Sequence, residues 1–346
     1  MQVITKFKSR YEAIQKTLNA MDVKGLTRFL AIFDLVYCRL FIHCTYEEYL
    51  QYKFYNFKNR YRKNFMLTYH QRNFMRYLNT PGFTLFKYKF YLHIPHHYAR
   101  EIILAPACGV DTFLSFVKKH GTIVTKPDGG SYGRDIKIFH YTTDEEAIAF
   151  LRSLTENTVC EEFIRQHEVM EQLNPSSVNT IRILSLRKND EIIITSASLR
   201  TAADGDHLVD NMRKGGIGAQ VDVETGIVYT YGYDYAGNKY IVHPITGCSF
   251  MGLQIPNCDK AIDLVKNAHS EIPECDYLGW DIAITQDGAD IIEANTAPGP
   301  MLTQFMDLIP KGEAVLPLLK KRIRTKIGPN NTKPSRRTIR PKKTKK

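Results

Sequence analysis

The chain has 346 residues, 43% of them hydrophobic and 24% charged, with a formal net charge of +11. That length and apolar content support two or three packed lobes and exclude wholesale disorder. The charge resides in one segment: from Lys320 onward there are thirteen Lys or Arg residues and no acid, and setting them aside takes the net charge from +11 to −2. Seven scattered cysteines without a C-x-x-C pair argue against a zinc site or a disulfide framework and fit a reducing, cytoplasmic compartment.

Residues 1–11 alternate charged and apolar side chains and do not read as a signal peptide. Residues 1 to about 80 read mostly as helix, with Phe29, Leu30, Phe33, Val36, Tyr37 and Leu40 at helical spacing. The apolar stretch 26–44 carries Arg28, Asp34 and Arg39, each costly in hydrocarbon, so it reads as a buried or interfacial helix, not a membrane span. Between Glu48 and Glu101 there is no acid, while ten Lys or Arg residues interleave with aromatics. Base or sugar stacking and membrane contact are functional readings of that stretch; a helical lobe with an aromatic core is favoured.

From residue 110 the texture changes. An amphipathic helix over 111–119, N-capped by Asp111, precedes a strand at 122–126, a glycine-rich loop at 127–133 and a strand at 135–140. A helix over 144–154 and a strand ending near Glu162 follow. Strands are then predicted at 180–186, 191–199, 219–223 and 227–231, a helix at 259–270, and paired strands at 280–285 and 289–294. The pattern is α+β, with mostly antiparallel strands. The segment from 319, rich in Pro, Thr and Asn, is expected to be largely disordered. It reads either as a tether to an anionic surface or as a solvated end.

The final strand pair, GWDIAITQDGADIIEANTAPG, is the most informative segment. Asp287–Gly288 between two apolar runs signals a hairpin. A two-residue loop would oppose Asp281 to Ala294. A three-residue loop, Gln286 to Gly288 with Gly288 left-handed, pairs Asp281 with Glu293 and groups Trp280, Ile282, Ile284 and Ile292 on one apolar face. The second register is preferred. Asn295, two residues past Glu293, then shares its side, giving two carboxylates and an amide oxygen suited to Mg²⁺. In the loop TIVTKPDGGSYGRDIKIF, Gly129, Gly130 and Gly133 are expected to turn with positive φ and present N–H groups to an anion, with Lys126 as a nearby point charge. It lacks the pattern of a Walker loop.

The order of Lys126, glycine loop, the acids of TVCEEFI and a closing D…E-x-N hairpin resembles the ATP-grasp superfamily. CEEFIRQHEVMEQLNPSSVNTIRILSL, DNMRKGGIGAQVDVETG, HPITG and LGWDIAI…IIEANTAPG resemble its sugar-transfer-associated group, over roughly residues 85–310. The resemblance implies an ATP-grasp fold with nucleotide held between two antiparallel sheets, a helical N-terminal lobe (1–84), an ATP-grasp domain (85–318, with a glycine-loop subdomain at 118–165 and a metal and substrate subdomain at 166–318) and a basic tail (319–346). It implies ATP and Mg²⁺, two ions with Glu293 bridging them, Mn²⁺ being an alternative. Lys126 would meet the α- and β-phosphates, with Ser131 to Gly133 as their lid. Glu161, Glu162 and Ile164 would meet adenine, and Glu168 the ribose. Lys87, with Lys89 as alternative, would be a further phosphate lysine. Arg182 and Arg200 would face the transferred phosphate and acceptor, and Asn211, Arg213, Gly215 and Gly216 would form a substrate loop. His243 reads as a structural histidine.

The implied activity is ADP-forming carboxylate–amine ligation through an acyl-phosphate, on a small-molecule or glycan-linked carboxylate and an amine in bacterial surface or capsular polysaccharide synthesis. A kinase acting on a sugar or polyol hydroxyl is the alternative. A non-catalytic membrane- or nucleic-acid-associated protein is the third. Nucleic acid is not an expected partner, whereas peripheral association of the tail with the inner face of a membrane is compatible with the sequence.

Overall fold

The computed structural model describes residues 12, 14–19, 21, 24–56, 59–83, 86–130, 135–204, 215–302, 304 and 316–327. Helix α1 (Gly25–Tyr37) is free of proline and β-branched runs; it buries Ala31 and Leu35 and continues through a π-helical turn, Cys38–Ile42. The left-handed His43 ends that turn. Thr45 opens α2 (Tyr46–Gln51) with a reciprocal cap: its hydroxyl accepts from the Glu48 N–H at 3.1 Å, and the Glu48 carboxylate accepts from the Thr45 N–H at 2.9 Å. The aromatics of the acid-free stretch do form a core. Tyr49, Tyr52, Phe54 and Phe65 are buried, with the Phe54 and Phe65 rings edge-on at 5.1 Å. Helix α3 (Thr68–Leu78) and the short α4 (Lys87–Tyr91) complete this region.

A four-stranded antiparallel sheet follows, built from β1 (Ile102–Ala105), β2 (Thr122–Pro127), β3 (Lys137–His140) and β4 (Thr158–Glu162) in the order β1-β4-β2-β3. Helices α5 (Val110–His120) and α6 (Asp144–Ser153) supply Phe113, Phe116, Val117, Ala147 and Leu151, which pack with Ile123 and Cys160 of the sheet. Gly109 occupies the N-cap of α5, so Asp111 sits in the first turn, where it still opposes the helix dipole. Strand β1 was not anticipated, because a four-residue apolar run has no readable period.

After α7 (Glu168–Leu173), a second, seven-stranded sheet runs in the order β11-β10-β5-β6-β7-β8-β9. Its strands are β5 (Thr180–Lys188), β6 (Glu191–Thr201), β7 (Ile217–Val221), β8 (Gly232–Tyr233), β9 (Lys239–Tyr240), β10 (Tyr277–Ile284) and β11 (Ala289–Asn295). All its pairings are antiparallel. Helix α8 (Cys258–Ser270) lays Ala261, Ile262 and Val265 into the same core as Ile181, Ile183, Leu199 and Trp280. Residues 227–231 make isolated bridges, Val221 to Val228 and Ile227 to Gln254, in place of the expected strand. The tail boundary expected at 319 falls inside helix α9 (Leu316–Ile327), whose Leu316, Leu319 and Ile323 pack with Met75 and Leu78 of α3. An apolar i, i+3, i+7 stripe inside the basic segment accounts for this. Residues 328–346 lie outside the described residues.

One buried histidine makes stability depend on pH. The Trp280 Nε1–H donates to Ser185 Oγ at 2.8 Å, Ser185 meets His269 Nδ1 at 2.7 Å, and His269 Nε2 meets the Cys275 carbonyl at 3.0 Å. Burial pushes the His269 pKa down from 6.5 to about 4. The imidazole is therefore neutral in the native state, and the unfolded chain binds its proton more readily. The stability this confers is complete above pH 6.5 and is lost as pH falls towards 4. Between pH 7 and pH 5 the His269 contribution is expected to fall by about 2 kcal/mol. Urea unfolding at both pH values checks this, with His269→Gln flattening the difference. His70, also lowered to about 4, titrates in both proteins and cancels in that comparison.

Candidate active site

In the β10–β11 hairpin Asp281 does lie opposite Glu293, and Gly279 opposite Asn295. The turn differs from expectation. Near it, Ile284 pairs with Ala289 and the Thr285 N–H donates to the Gly288 carbonyl at 3.0 Å, so the loop has four residues and Gly288 does not have positive φ. A bulge at Asp281/Ile282 then shifts the register by one residue. Ile291, not Ile292, is consequently buried in the core with Trp280, Ile282 and Ile284, while Ile292 lines a cavity. Gly279 is sterically required, since a Cβ there would meet Pro298 at 2.6 Å.

Strand β5 supplies Arg182 directly beside Asp281. Its Nε donates to Asp281 Oδ1 and its Nη2 to Oδ2 at 2.7 Å, while Arg200 Nη1 of β6 donates to Oδ1 at 2.8 Å. Burial opposes the Asp281 charge, but the two guanidinium groups hold its carboxyl well below the usual carboxylate range. Glu293 is less enclosed, with Lys87 Nζ at 3.3 Å and the Asn295 amide nitrogen at 3.4 Å.

The first sheet presents Lys126 and Glu161. Both are buried, and Lys126 Nζ stands 2.6 Å from Glu161 Oε1. Arg100, two residues before the start of β1, completes the group. Its Nη2 donates to Glu161 Oε2 at 2.8 Å, and its Nη1 donates to Asp290 Oδ2 and to the Ile291 carbonyl, each at 2.6 Å. One guanidinium thus ties β4 of the first sheet to β11 of the second. Burial raises the Glu161 pKa, yet Arg100 and Lys126 bring it below the ordinary value. Burial, with Arg100 and Lys87, lowers that of Lys126.

The glycine loop is anchored at its root. The Asp128 N–H donates to the Asn157 carbonyl at 2.9 Å, and Asp128 accepts at its carbonyl from the Lys87 N–H and at Oδ1 from the Tyr88 N–H. This fixes the start of α4 and sets Lys87 over Glu293. Gly129 and Gly130 do not have positive φ. Glycine suits the close approach at Gly130, where a Cβ would crowd the Pro127 carbonyl oxygen at 3.1 Å.

These groups converge on a cavity of about 1690 Å³ between the sheets. Lys87, Lys126, Glu161, Arg182, Arg200, Asp281, Glu293 and Asn295 all line it, as do Gly129, Gly130, Glu162 and Ile164. Lys89 is exposed and does not line it. Nor does Glu168, although Glu171 of the same helix does. Residues 163–167 lie between β4 and α7 outside regular secondary structure, so counting seven residues from Glu161 reaches only the first residue of the helix. Gly215 and Gly216 precede β7, off the cavity wall. Ser131, Gly133, Asn211 and Arg213 lie outside the described residues. His243 is fully buried, with Nε2 at 2.8 Å from the Ala202 carbonyl, a packing role.

Sequence reasoning missed Arg100, Asp290 and Asp128. An acid beside Ile291 in an apolar strand was a readable sign of a buried partner; Arg100 and Asp128 gave no local signal. The N-terminal region also contributes, with Thr45, Gln51, Gln71 and Arg72 on the cavity wall. It is held there by Gln71, whose amide donates to the Ala297 and Pro298 carbonyls, and by Asn79, which donates to those of Tyr277 and Thr296.

The family described as sugar-transfer associated ATP-grasp matches residues 60–322. A comparison with curated proteins finds no match. Among solved structures, the ATP-grasp ligase PsnB complexed with minimal precursor is 12% identical at a TM-score of 0.43, over 72% of this chain and 64% of that one. The chain therefore spans less than two thirds of PsnB. D-cycloserine synthetase DcsG is 10% identical at a TM-score of 0.43, over 69% of this chain and 70% of that one. D-alanine–D-alanine ligase from Bacillus anthracis is 13% identical at a TM-score of 0.39, over 70% of each chain.

Proposed function

Because the chain belongs to the sugar-transfer associated ATP-grasp family, we propose that it is an ATP- and magnesium-dependent carboxylate–amine ligase working through an acyl-phosphate. The observation that carries the reading is the convergence of oxygen donors from β10–β11 with the Lys126–Glu161 pair of the opposite sheet on one cavity.

The donor set fits a hard divalent cation. Asp281 Oδ1 already accepts from Arg182 and Arg200, but Oδ2 accepts one bond and keeps a lone pair free. Glu293 and the Asn295 side-chain oxygen lie on the same strand face. Asp281, Glu293 and Asn295 would hold Mg²⁺ there, and the ion would supply charge neutralisation for the phosphates.

Lys126 and Lys87 bind phosphate oxygens, and Glu161 keeps Lys126 aimed into the cavity. Glu162, Ile164 and Glu171 form the nucleoside end. The carboxylate substrate attacks the γ-phosphorus, the bond to the β–γ bridging oxygen breaks, and ADP leaves. The amine then adds to the acyl-phosphate, phosphate departs with the C–O bond electrons, and the amine gives up its proton. Arg182 and Arg200 stabilise the oxyanion of that second step. Most of the catalysis on this reading is positioning and charge stabilisation. The substrate class is a sugar-linked or amino-acid carboxylate and an amine in surface-polysaccharide assembly.

Product analysis tests the reaction. ADP and phosphate release that requires both a carboxylate and an amine, with one amide formed per ADP, supports it. A stable phosphorylated acceptor without free phosphate replaces it with a hydroxyl kinase. Lys126→Met is expected to lower kcat/KM for ATP by about 100-fold, as steady-state kinetics can measure, while Glu161 keeps Arg100 as partner.

A further inference from the structure

Helix α1 and the π-helical turn after it carry an apolar face that the rest of the described chain does not cover. Leu26, Phe29, Leu30, Phe33, Leu40 and Phe41 are 55 to 73% exposed. At 100° per residue Leu26, Phe29, Leu30 and Phe33 of α1 fall within about 100° of arc, and Leu40 and Phe41 extend the exposed apolar set into the π-helical turn. Phe29 meets Phe33 edge-on at 5.2 Å, and Tyr37 packs on Phe41 at 5.1 Å, so the rings are already ordered. An apolar stripe of this size marks an interaction surface.

Charge indicates what covers it. The acid within α1, Asp34, turns away: Oδ2 accepts from the Tyr49 hydroxyl at 2.6 Å and Oδ1 from Arg62. Lys24 and Arg39, at either end of the stripe, are exposed. The basic segment starts from the same lobe. Helix α9 packs on α3, and His43, which ends the π-helical turn, stacks on Tyr69 of α3 at 4.3 Å. From Lys320 onward the chain has thirteen cationic residues and no acid. No described helix is long and apolar enough to cross a membrane. A shallow apolar face beside a cationic segment matches the chemistry of an anionic bilayer surface. A second copy of the chain would cover the stripe but leave the cationic segment without a counterpart.

We propose that this face of α1 and its π-helical turn docks in the interfacial layer of an anionic membrane, with the basic C-terminal segment gathering acidic headgroups. The stripe ends four residues before Thr45, which lines the cavity, so docking sets the bilayer close to the cavity's N-terminal wall. The inference stands independently of the reaction in the cavity.

The test is sedimentation of the full chain with vesicles of equal parts phosphatidylglycerol and phosphatidylcholine, against pure phosphatidylcholine. Binding to the anionic vesicles that weakens with salt is expected. The double variants Leu30→Ser/Phe33→Ser and Leu26→Ser/Phe41→Ser should each lower partitioning by roughly tenfold or more, with unchanged thermal melts. A chain ending at Ile327 should lose most of the salt dependence. Three results overturn the proposal: no binding to anionic vesicles, equal binding by both folded double variants, or a solution dimer that the same substitutions dissociate without any vesicle binding.

Discussion

Glu293→Gln is expected to lower magnesium-dependent ATP turnover by about 1000-fold while leaving the fold intact. The exchange is nearly isosteric, and Glu293 is a third exposed, with Lys87 at 3.3 Å as its ion-pair partner. Such a pair contributes little to stability. What is lost is a charged oxygen on the strand face shared with Asp281 and Asn295. Asp281→Asn would be a poorer probe, because it strips the charge from a carboxylate that two guanidinium groups share. Its effect would mix lost chemistry with unpaired buried arginines. The measurement is turnover across a magnesium titration alongside a thermal melt. Full turnover in a folded Glu293→Gln variant would remove this carboxylate from the site.

The second large effect concerns stability. Arg100→Met is expected to destabilise the protein by about 3–5 kcal/mol, since it leaves Asp290 and half of Glu161 without their buried cation. Arg100→Lys should fall between, because an ammonium cannot span both carboxylates and the Ile291 carbonyl as the planar fork does. Burial, Glu161 and Asp290 together leave the Arg100 pKa above its ordinary value, so the arginine stays charged throughout. Glu161 has its folded pKa below the ordinary 4.5, so its part of the ion-pair stability is present above that pH and lost as pH falls through the folded value. The gap between wild type and Arg100→Met, followed by urea unfolding, should therefore narrow in acid. A gap that stays constant down to the acid limit would assign the loss to packing.

The hairpin shows both what could be read from the sequence and what could not. Alternation and Asp287–Gly288 announced two strands, and the wish to bury Ile282, Ile284 and Trp280 chose the pairing of Asp281 with Glu293. The pairing is right, but a longer loop and a bulge together produce it, and Ile292 pays with its place in the core. Bulges depend on neighbouring strands, which a local pattern does not encode. Glu168 opens α7 and does not line the cavity, because spacing along the chain does not say where a helix begins. Motif order singled out Lys126, Glu161 and Arg182, which line the cavity, whereas Arg100 acts across separations of 61 to 191 residues and Asp128 across 40. The helical spacing of Phe29, Leu30 and Phe33 was plain, but the sequence could not say that this face would remain open.

On the proposed function, Asp281, Glu293 and Asn295 hold the metal that serves ATP. The most direct test of that assignment is an anomalous difference map from crystals of the full chain grown with Mn²⁺ and a non-hydrolysable ATP analogue. A manganese peak is expected within coordination distance of the Glu293 carboxylate and Asn295 oxygen, beside Asp281 Oδ2, with the analogue's phosphates facing Lys126. Nucleotide bound in the cavity with no peak at those oxygens, or manganese confined to another site, would contradict it.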